Sequence, residues 1–244
     1  MVKEWNICSL EDKSLCHILL IRFSVLPSGK LLINTINAHS YNTTMKDSLF
    51  AEALAKGDVL IPDGMSIVKA FAWKGWKNGP KERVAGYDLF EHEMAELNRK
   101  GGRCMFLGSS EKVLALIRQR AATDYPNIEV VTYSPPYKPE FTDEENRQMI
   151  EAVNSANPDL LWIGMTAPKQ EKWAYTHWKE LDIHCHCGTI GAVFDFYAGT
   201  AKRAPIWWQR RGLEWLYRLL KEPRRMWRRY IIGNMLFLWY IWKE

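Results

Sequence analysis

Short apolar runs alternate along the chain with stretches in which apolar residues return every three or four positions. The runs at 18–23, 31–36, 59–61, 103–107, 128–132, 159–164 and 183–187 have the length and composition of strands. The periodic stretches at 40–56, 65–76, 87–100, 111–124 and 168–181 predict helices, and a further helix opens at Thr142. Pro27-Ser28-Gly29-Lys30 reads as the turn between the first two strands. Gly57 reads as a helix cap, and Thr142-Asp143-Glu144-Glu145 as a capping box. Three prolines make 134–140 irregular, and Lys77-Asn78-Gly79-Pro80 is a loop. This β-α alternation predicts an α/β fold, a Rossmann-like, mostly parallel sheet with helices on both faces.

Composition adds a boundary. A hydrophobic content of 47% in 244 residues supports a full core, in one large domain or one domain with an appendage. Residues 202–244 carry 11 Lys/Arg against 3 Asp/Glu, a net of +8, so the chain's total of +5 leaves residues 1–201 at −3. Six of the 12 tryptophans also lie after residue 201. The expected division is therefore an α/β core over 1–201 and a basic, Trp-rich appendage over 202–244 that meets an anionic partner. Cys8, Cys16, Cys104, Cys185 and Cys187 form no Cys-x-x-Cys pair. Their odd number, with a charged stretch at 1–12 unlike a secretory signal, points to reduced thiols in the cytosol.

Candidate chemistry lies where strands hand over to helices, since ligands of open α/β sheets bind beyond the carboxyl ends of the strands. Asp63 follows the run Val59-Leu60-Ile61 and Pro62, which stops it, and precedes a helical pattern at Met65. An Asp there either caps the helix or accepts a proton from a substrate hydroxyl. Gly108 and Gly191 stand at two other strand ends, where a glycine lets backbone N–H groups approach a diphosphate. Neither Gly-x-Gly-x-x-Gly nor the P-loop pattern is present, which argues against NAD enzymes and P-loop ATPases. No Asp-x-Asp occurs, so protein cations and backbone dipoles would have to balance a nucleotide diphosphate. His184-Cys185-His186-Cys187 has the composition of a metal cluster, but neighbours in a strand point to opposite faces and cannot converge on one ion.

An ordered set of motifs carries a resemblance. It comprises Thr35-Ile36-Asn37, Pro62-Asp63-Gly64, Arg83-Val84-Ala85-Gly86-Tyr87-Asp88, Pro168-Lys169-Gln170-Glu171 and the segment from Gly191 to Gly199. It continues through Arg203-Ala204-Pro205, the segment from Gly212 to Leu219, Glu222-Pro223-Arg224-Arg225 and Arg228-Arg229-Tyr230. Together these resemble the WecG/TagA/CpsF glycosyltransferases, glycosyltransferase family 26. The resemblance implies an inverting, metal-independent and cofactor-free transferase at the cytoplasmic face of the membrane. Such an enzyme moves a sugar from a UDP-sugar donor to a sugar on a polyprenyl diphosphate. It implies Asp63 as general base, Thr35 and Asn37 as pocket residues beside it, Gln170 and Asp195 as partners of sugar hydroxyls, and Arg83 as a partner of the donor diphosphate. Gly164-Met165-Thr166-Ala167 stands where the family often has Gly-Leu-Gly. The donor sugar is left open between N-acetylmannosamine, glucose and other hexoses.

Residues 206–220 have a helical pattern and Pro223 marks a restart or kink. On a continuing helix, Arg218, Lys221, Arg225, Arg228 and Arg229 fall within roughly a 100° arc. Arg218, Arg225, Arg228 and Arg229 are the candidates for a lipid diphosphate or an anionic membrane surface. Thirteen uncharged residues follow, from Tyr230 to Trp242, too few for a span and suited to lying in the interface. Trp207, Trp208 and Trp215 are assigned to packing on the core or on a second subunit, and 237–242 to membrane contact. Glu214 and Glu222 share the Glu-x7-Glu spacing of retaining transferases, read here as coincidence on an amphipathic helix. The competing classes are a nucleic-acid-binding protein using the basic aromatic tail, disfavoured by the acidic body and the apolar run, and a non-catalytic sugar-nucleotide-binding protein. A homo-oligomer stays open.

Overall fold

The protein, as a computed structural model, is described for residues 26–75, 80 and 83–243. The run at 18–23, Cys8, Cys16 and the loop residues 77–79 lie outside the described residues. Six strands form one sheet: β1 (Leu31–Ile36), β2 (Val59–Pro62), β3 (Gly102–Gly108), β4 (Ile128–Tyr133), β5 (Leu160–Gly164) and β6 (His186–Thr189). Their order is β2-β1-β6-β5-β3-β4, and every neighbouring pair is parallel. All strand ends that could host chemistry therefore open on one edge.

The helices in chain order are α1 (Ala38–Thr44), α2 (Ser48–Lys56), α3 (Met65–Lys74), α4 (Gly86–Lys100), α5 (Glu111–Asp124), α6 (Asp143–Ala156), α7 (Lys169–Thr176) and α8 (Gly191–Ala198). Helices α4, α5 and α8 cover one face around Phe90, Phe106, Trp162 and Phe194. Helices α6 and α7 cover the other, around Met105, Leu161, Met149 and Trp173. A third cluster joins α1, α2 and α3 beside β1 and β2. Strands buried on both faces read as continuous apolar runs, which is why their positions were visible in the sequence.

Several elements differ from the expectation. The helix over 40–56 is two helices. Asn37 and Ser40 form a capping box for α1, and Asp47 caps α2 through Phe50 N–H at 2.9 Å. Between them, Thr43 and Thr44 return their hydroxyls to the carbonyls of His39 and Tyr41, which competes with helix continuation. The last strand runs over His186–Thr189 because the facing strands begin opposite His186, with Leu31 on one side and Leu160 on the other. Pro62 is itself the last residue of β2 rather than the residue that stops the strand at Ile61. An edge strand tolerates proline, whose missing N–H faces away from the ladder.

The sequence after residue 201 folds as α9 (Ile206–Arg210), α10 (Glu214–Lys221), α11 (Pro223–Trp227), a π-helical turn (Arg228–Ile232) and α12 (Gly233–Lys243). Gly212 breaks the expected 206–220 helix with φ +67, and a Cβ there would lie 2.4 Å from Met65 Cγ. The expectation for the aromatic residues holds only in part: Trp208 is half-buried beside Tyr217. Trp207 is 55% exposed, whereas Phe237 and Ile241 are buried against Tyr41 of α1. Positions 237 and 241 are one helical turn apart and turn inward together, while Met235, Leu238, Trp239 and Trp242 stay exposed. Among the described residues no helix is long and apolar enough to cross a membrane.

Cys185 and Cys187 are buried on the α6–α7 side, His184 is exposed and His186 bonds Glu93 and the Pro27 carbonyl. The four side chains of the His-Cys-His-Cys run thus diverge, as strand alternation requires. Beside them, Gly188 leaves room for Trp162, whose Cζ3 would lie 2.3 Å from an added Cβ. Trp162 is fully buried and packs on Phe90 at 5.6 Å. Gly188→Ala should therefore lower the denaturant midpoint by the equivalent of about 1–3 kcal/mol, measured by urea unfolding against wild type.

Candidate active site

A cleft of about 1600 Å³ runs along the carboxyl edge of the sheet. Its floor comes from Thr35 and Asn37 after β1, Asp63 after β2, Ser109 and Ser110 after β3, Ser134 after β4, Met165 after β5 and Gly191 after β6. Its outer wall comes from the C-terminal segment, through Glu214, Trp215, Arg218, Arg225 and Arg229.

Asp63 extends the β1–β2 ladder, donating its N–H to the Ile36 carbonyl at 2.9 Å. The cap position of α3 belongs to Gly64 and is not filled by a side chain, so the Asp63 carboxylate is not spent on capping. Val84 donates its N–H to the Pro62 carbonyl at 3.2 Å, which lays the segment bearing Arg83 beside the end of β2. Burial raises the Asp63 carboxyl from its ordinary 3.8 to about 7. Arg83 and Arg203 pull it down, and Glu214 and Asp88 push it up. A carboxyl poised near neutrality at the floor of a cleft has the affinity a general base needs.

Arg83 does not point freely into the cleft. Its Nη1 donates to Glu214 Oε2 at 2.9 Å, and Glu214 Oε1 lies 3.7 Å from Arg203 Nε. Arg203 in turn reaches Asp88 at 3.2 Å. Burial works against the charge of Arg83, but the Glu214 bond and the charges of Asp63, Glu214 and Asp88 outweigh it and hold its pKa above the usual value. Arg229 is the opposite case. Burial, with Arg218 and Arg225 nearby, lowers its pKa, and only Tyr230 and Asp63 work the other way. Its Nε is buried without a hydrogen-bond partner. Three guanidinium groups, Arg218, Arg225 and Arg229, thus concentrate positive charge at one wall of the cleft, with Arg225 partly offset by Glu222 at 3.0 Å. Desolvation and then Arg229 push the imidazole of His39, on the same wall, down to about 4, so it is neutral near pH 7.

The sequence candidates sort clearly by position. Thr35, Asn37, Asp63, Arg83, Gln170, Gly191, Asp195, Arg218, Arg225 and Arg229 all line the cleft. Gly108 lies one residue short of it. Its φ of +120 and a Cβ position 2.4 Å from the Gly164 carbonyl oxygen tie that glycine to the close approach of β3 and β5. Arg228 is exposed over the Trp227 ring, on the outer side of the π-helical turn. The single arc expected of the basic residues is broken because Glu222 leaves helical geometry and the π turn shifts the register. Asn37 Oδ1 is occupied in capping α1. Gln170 is occupied too. Its Oε1 accepts from the N–H groups of Met165 and Gly191, each at 3.1 Å, and its Nε2 donates to Glu171 at 2.9 Å. It therefore fixes the ends of β5 and β6 to each other.

Among the cleft residues that were not sequence candidates, Glu214, Arg203, His39 and Glu171 carry charge or titrate at the site. Glu171 is buried, its Oε2 has no partner, and burial raises its carboxyl to about 7 against the bond from Gln170. Arg203 stood in a quoted motif and Glu214 in a noted spacing, but no local pattern says that they meet Arg83. Glu222, the other half of the Glu-x7-Glu spacing, is not itself part of the cleft lining and pairs with Arg225 at 3.0 Å, so the two glutamates do not form one site.

A family model described as "Glycosyl transferase WecG/TagA/CpsF family" matches residues 17–244. The chain is 30% identical over 198 residues to an N-acetylglucosaminyldiphosphoundecaprenol N-acetyl-beta-D-mannosaminyltransferase of Bacillus subtilis (strain 168), covering 81% of this chain and 74% of that one. It is 30% identical over 197 residues to the protein of the same name from Bacillus spizizenii, covering 81% and 73%.

The position of Asp63 has a measurable cost. In the unfolded chain it ionises near 3.8, in the fold near 7. Between those values the unfolded state loses its proton first, so this group lowers folding stability as pH rises through the interval, and no further above it. Asp63→Asn removes the effect. Its melting temperature should match or slightly exceed wild type at pH 4 and exceed it more at pH 8, measured by circular dichroism. A difference that does not change with pH contradicts the assignment.

Proposed function

Because the chain belongs to the WecG/TagA/CpsF glycosyltransferase family, we propose that it moves a hexose or N-acetylhexosamine from a UDP-sugar onto a sugar carried by a polyprenyl diphosphate. The names of the two Bacillus relatives favour N-acetylmannosamine as the donor sugar and lipid-linked N-acetylglucosamine as the acceptor. They also specify a β product, which an α-linked nucleotide sugar yields by a single inverting displacement. The observation that carries the reading is a carboxyl of pKa about 7 on the cleft floor beneath arginines from the C-terminal segment.

The acceptor hydroxyl attacks the anomeric carbon as the bond to the UDP oxygen breaks, and its proton passes to the ionised Asp63. The electron pair of the broken bond leaves on the UDP oxygen, which gains a negative charge, while Arg218, Arg225 and Arg229 along the cleft wall are the groups suited to hold the acceptor's lipid diphosphate. Arg83 is a weaker partner for a diphosphate than the sequence implied, since Glu214 already occupies it. The N-termini of α8 and α5 line the cleft where the donor's phosphates would approach, although the Gly191 N–H is already given to Gln170 and the Ser109 N–H to the Gly164 carbonyl. Thr35, Asn37 and Asp195 line the space left for the two sugars.

Residues 1–201 serve as the catalytic body in this reading, and 202–244 as an appendage that both walls the site and meets the membrane. The exposed faces of Leu220, Trp227, Ile231, Ile232, Met235, Leu238, Trp239 and Trp242, beside the exposed Arg224 and Arg228, suit peripheral attachment to the cytoplasmic, anionic leaflet.

The test is a panel of UDP-sugars with a short-chain prenyl-diphosphate N-acetylglucosamine acceptor, with UDP release and product mass measured. Asp63→Asn should lose transfer by about 10²–10⁴-fold while donor affinity changes little, and retained turnover rules out Asp63 as the base. Since the base must be ionised, wild-type kcat/KM should rise with pH up to about 7 and then level. Arg229→Gln should raise the KM for the lipid acceptor about tenfold, read from acceptor titrations at saturating donor.

A further inference from the structure

The Arg83–Glu214 pair joins groups 131 residues apart, one on the loop beside β2 and one at the start of α10. Both side chains are largely buried, so the contact is not a screened surface pair. Among the described residues no Lys or Arg nitrogen forms an ion pair with the Asp63 carboxylate, although Arg83 is near enough to act on its charge. We propose that Glu214 is a positioning residue for the transfer step. It holds the Arg83 guanidinium turned toward the C-terminal segment, and so leaves the Asp63 carboxylate unpaired and free to take the acceptor's proton. This inference rests on the transferase reading above for its link to activity.

The groups acting on Asp63 come from every neighbouring element. They are Arg83 and Asp88 near the start of α4, Arg203 before α9, Glu214 on α10 and Arg229 in the π-helical turn. His39, Lys69, Arg218 and Arg225 line the same cleft. Neutralising Glu214 removes a negative charge and releases a cation on which Asp63 and Asp88 still act. Both changes stabilise ionised Asp63 and make it a weaker base. A role confined to anchoring α10 would instead lower activity without moving the pH dependence.

The experiment uses the full chain as wild type, Glu214→Gln and Glu214→Asp, with UDP-sugar and the short-chain lipid acceptor between about pH 5.5 and 9. For Glu214→Gln the plateau rate should fall about tenfold and the acid limb should move to lower pH, while the donor KM changes by less than about threefold. Glu214→Asp, which keeps the charge but withdraws it by one methylene, should show a smaller shift in the same direction. It serves as the reporting variant if Glu214→Gln does not fold. Carboxyl ¹³C NMR, with the Asp63 resonance identified by its loss in Asp63→Asn, should show Asp63 titrating lower in Glu214→Gln than in wild type. An unmoved limb and an unmoved titration overturn the proposal. If wild type transfers no sugar but the titration still moves, the transferase reading fails and the positioning of Arg83 by Glu214 stands.

Discussion

A carboxylate sunk in protein wants either a proton or a cation, and the fold gives Asp63 neither outright. Burial pushes its affinity for a proton to neutrality, while Arg83, the cation that acts on it most, is drawn off by a competing carboxylate from the C-terminal segment. The alternation Asp63, Arg83, Glu214, Arg203, Asp88 is therefore a balance of charges rather than a set of independent pairs. Breaking one partner of a buried network leaves the others uncompensated. The body and the C-terminal segment consequently share one electrostatic unit, although the sequence separates them by composition.

The rest of the cleft is framed to keep that unit in place. Gln170 ties the ends of β5 and β6, Asn37 caps α1, and Gly108 lets β3 meet β5 closely. All three occur in motifs that invite a reading as ligand contacts, yet much of their hydrogen-bonding or steric capacity goes to the protein itself. A polar residue at a strand end serves the substrate only with what the protein leaves over, and here Asp63 and Arg229 are left with most.

Much of the fold was legible because strands buried on two faces and capped helices write themselves locally. Helix α5 has the expected bounds because Ser110 caps it and its pattern is uninterrupted, and the capping box at Thr142 and Glu145 is present. Asp63 was found from its place between an apolar run and a helical pattern. The breaks after Thr44 and at Gly212 were missed, since each needs a local conformation that a periodic pattern overrides on paper. Glu214 was visible but uninterpretable, because its meaning lies in a partner across the fold. The inward face of α12 could not be read either, for a helix whose one charge is its last residue, Lys243, offers no polar side to mark which way is out.

That last ambiguity gives the π-helical turn its significance. Helix α12 is apolar all round, so composition alone would let it roll about its axis with little penalty. The wider turn over Arg228–Ile232, followed by the Asn42 Nδ2 bond to the Gly233 carbonyl at 2.6 Å, sets which side is inside. Excising a single residue there would rotate everything downstream by about 100°, swinging Phe237 and Ile241 outward while leaving hydropathy nearly unchanged. Insertions and deletions in this short stretch thus act as a phase control on the whole C-terminal helix, one that substitution by similar residues would never reveal.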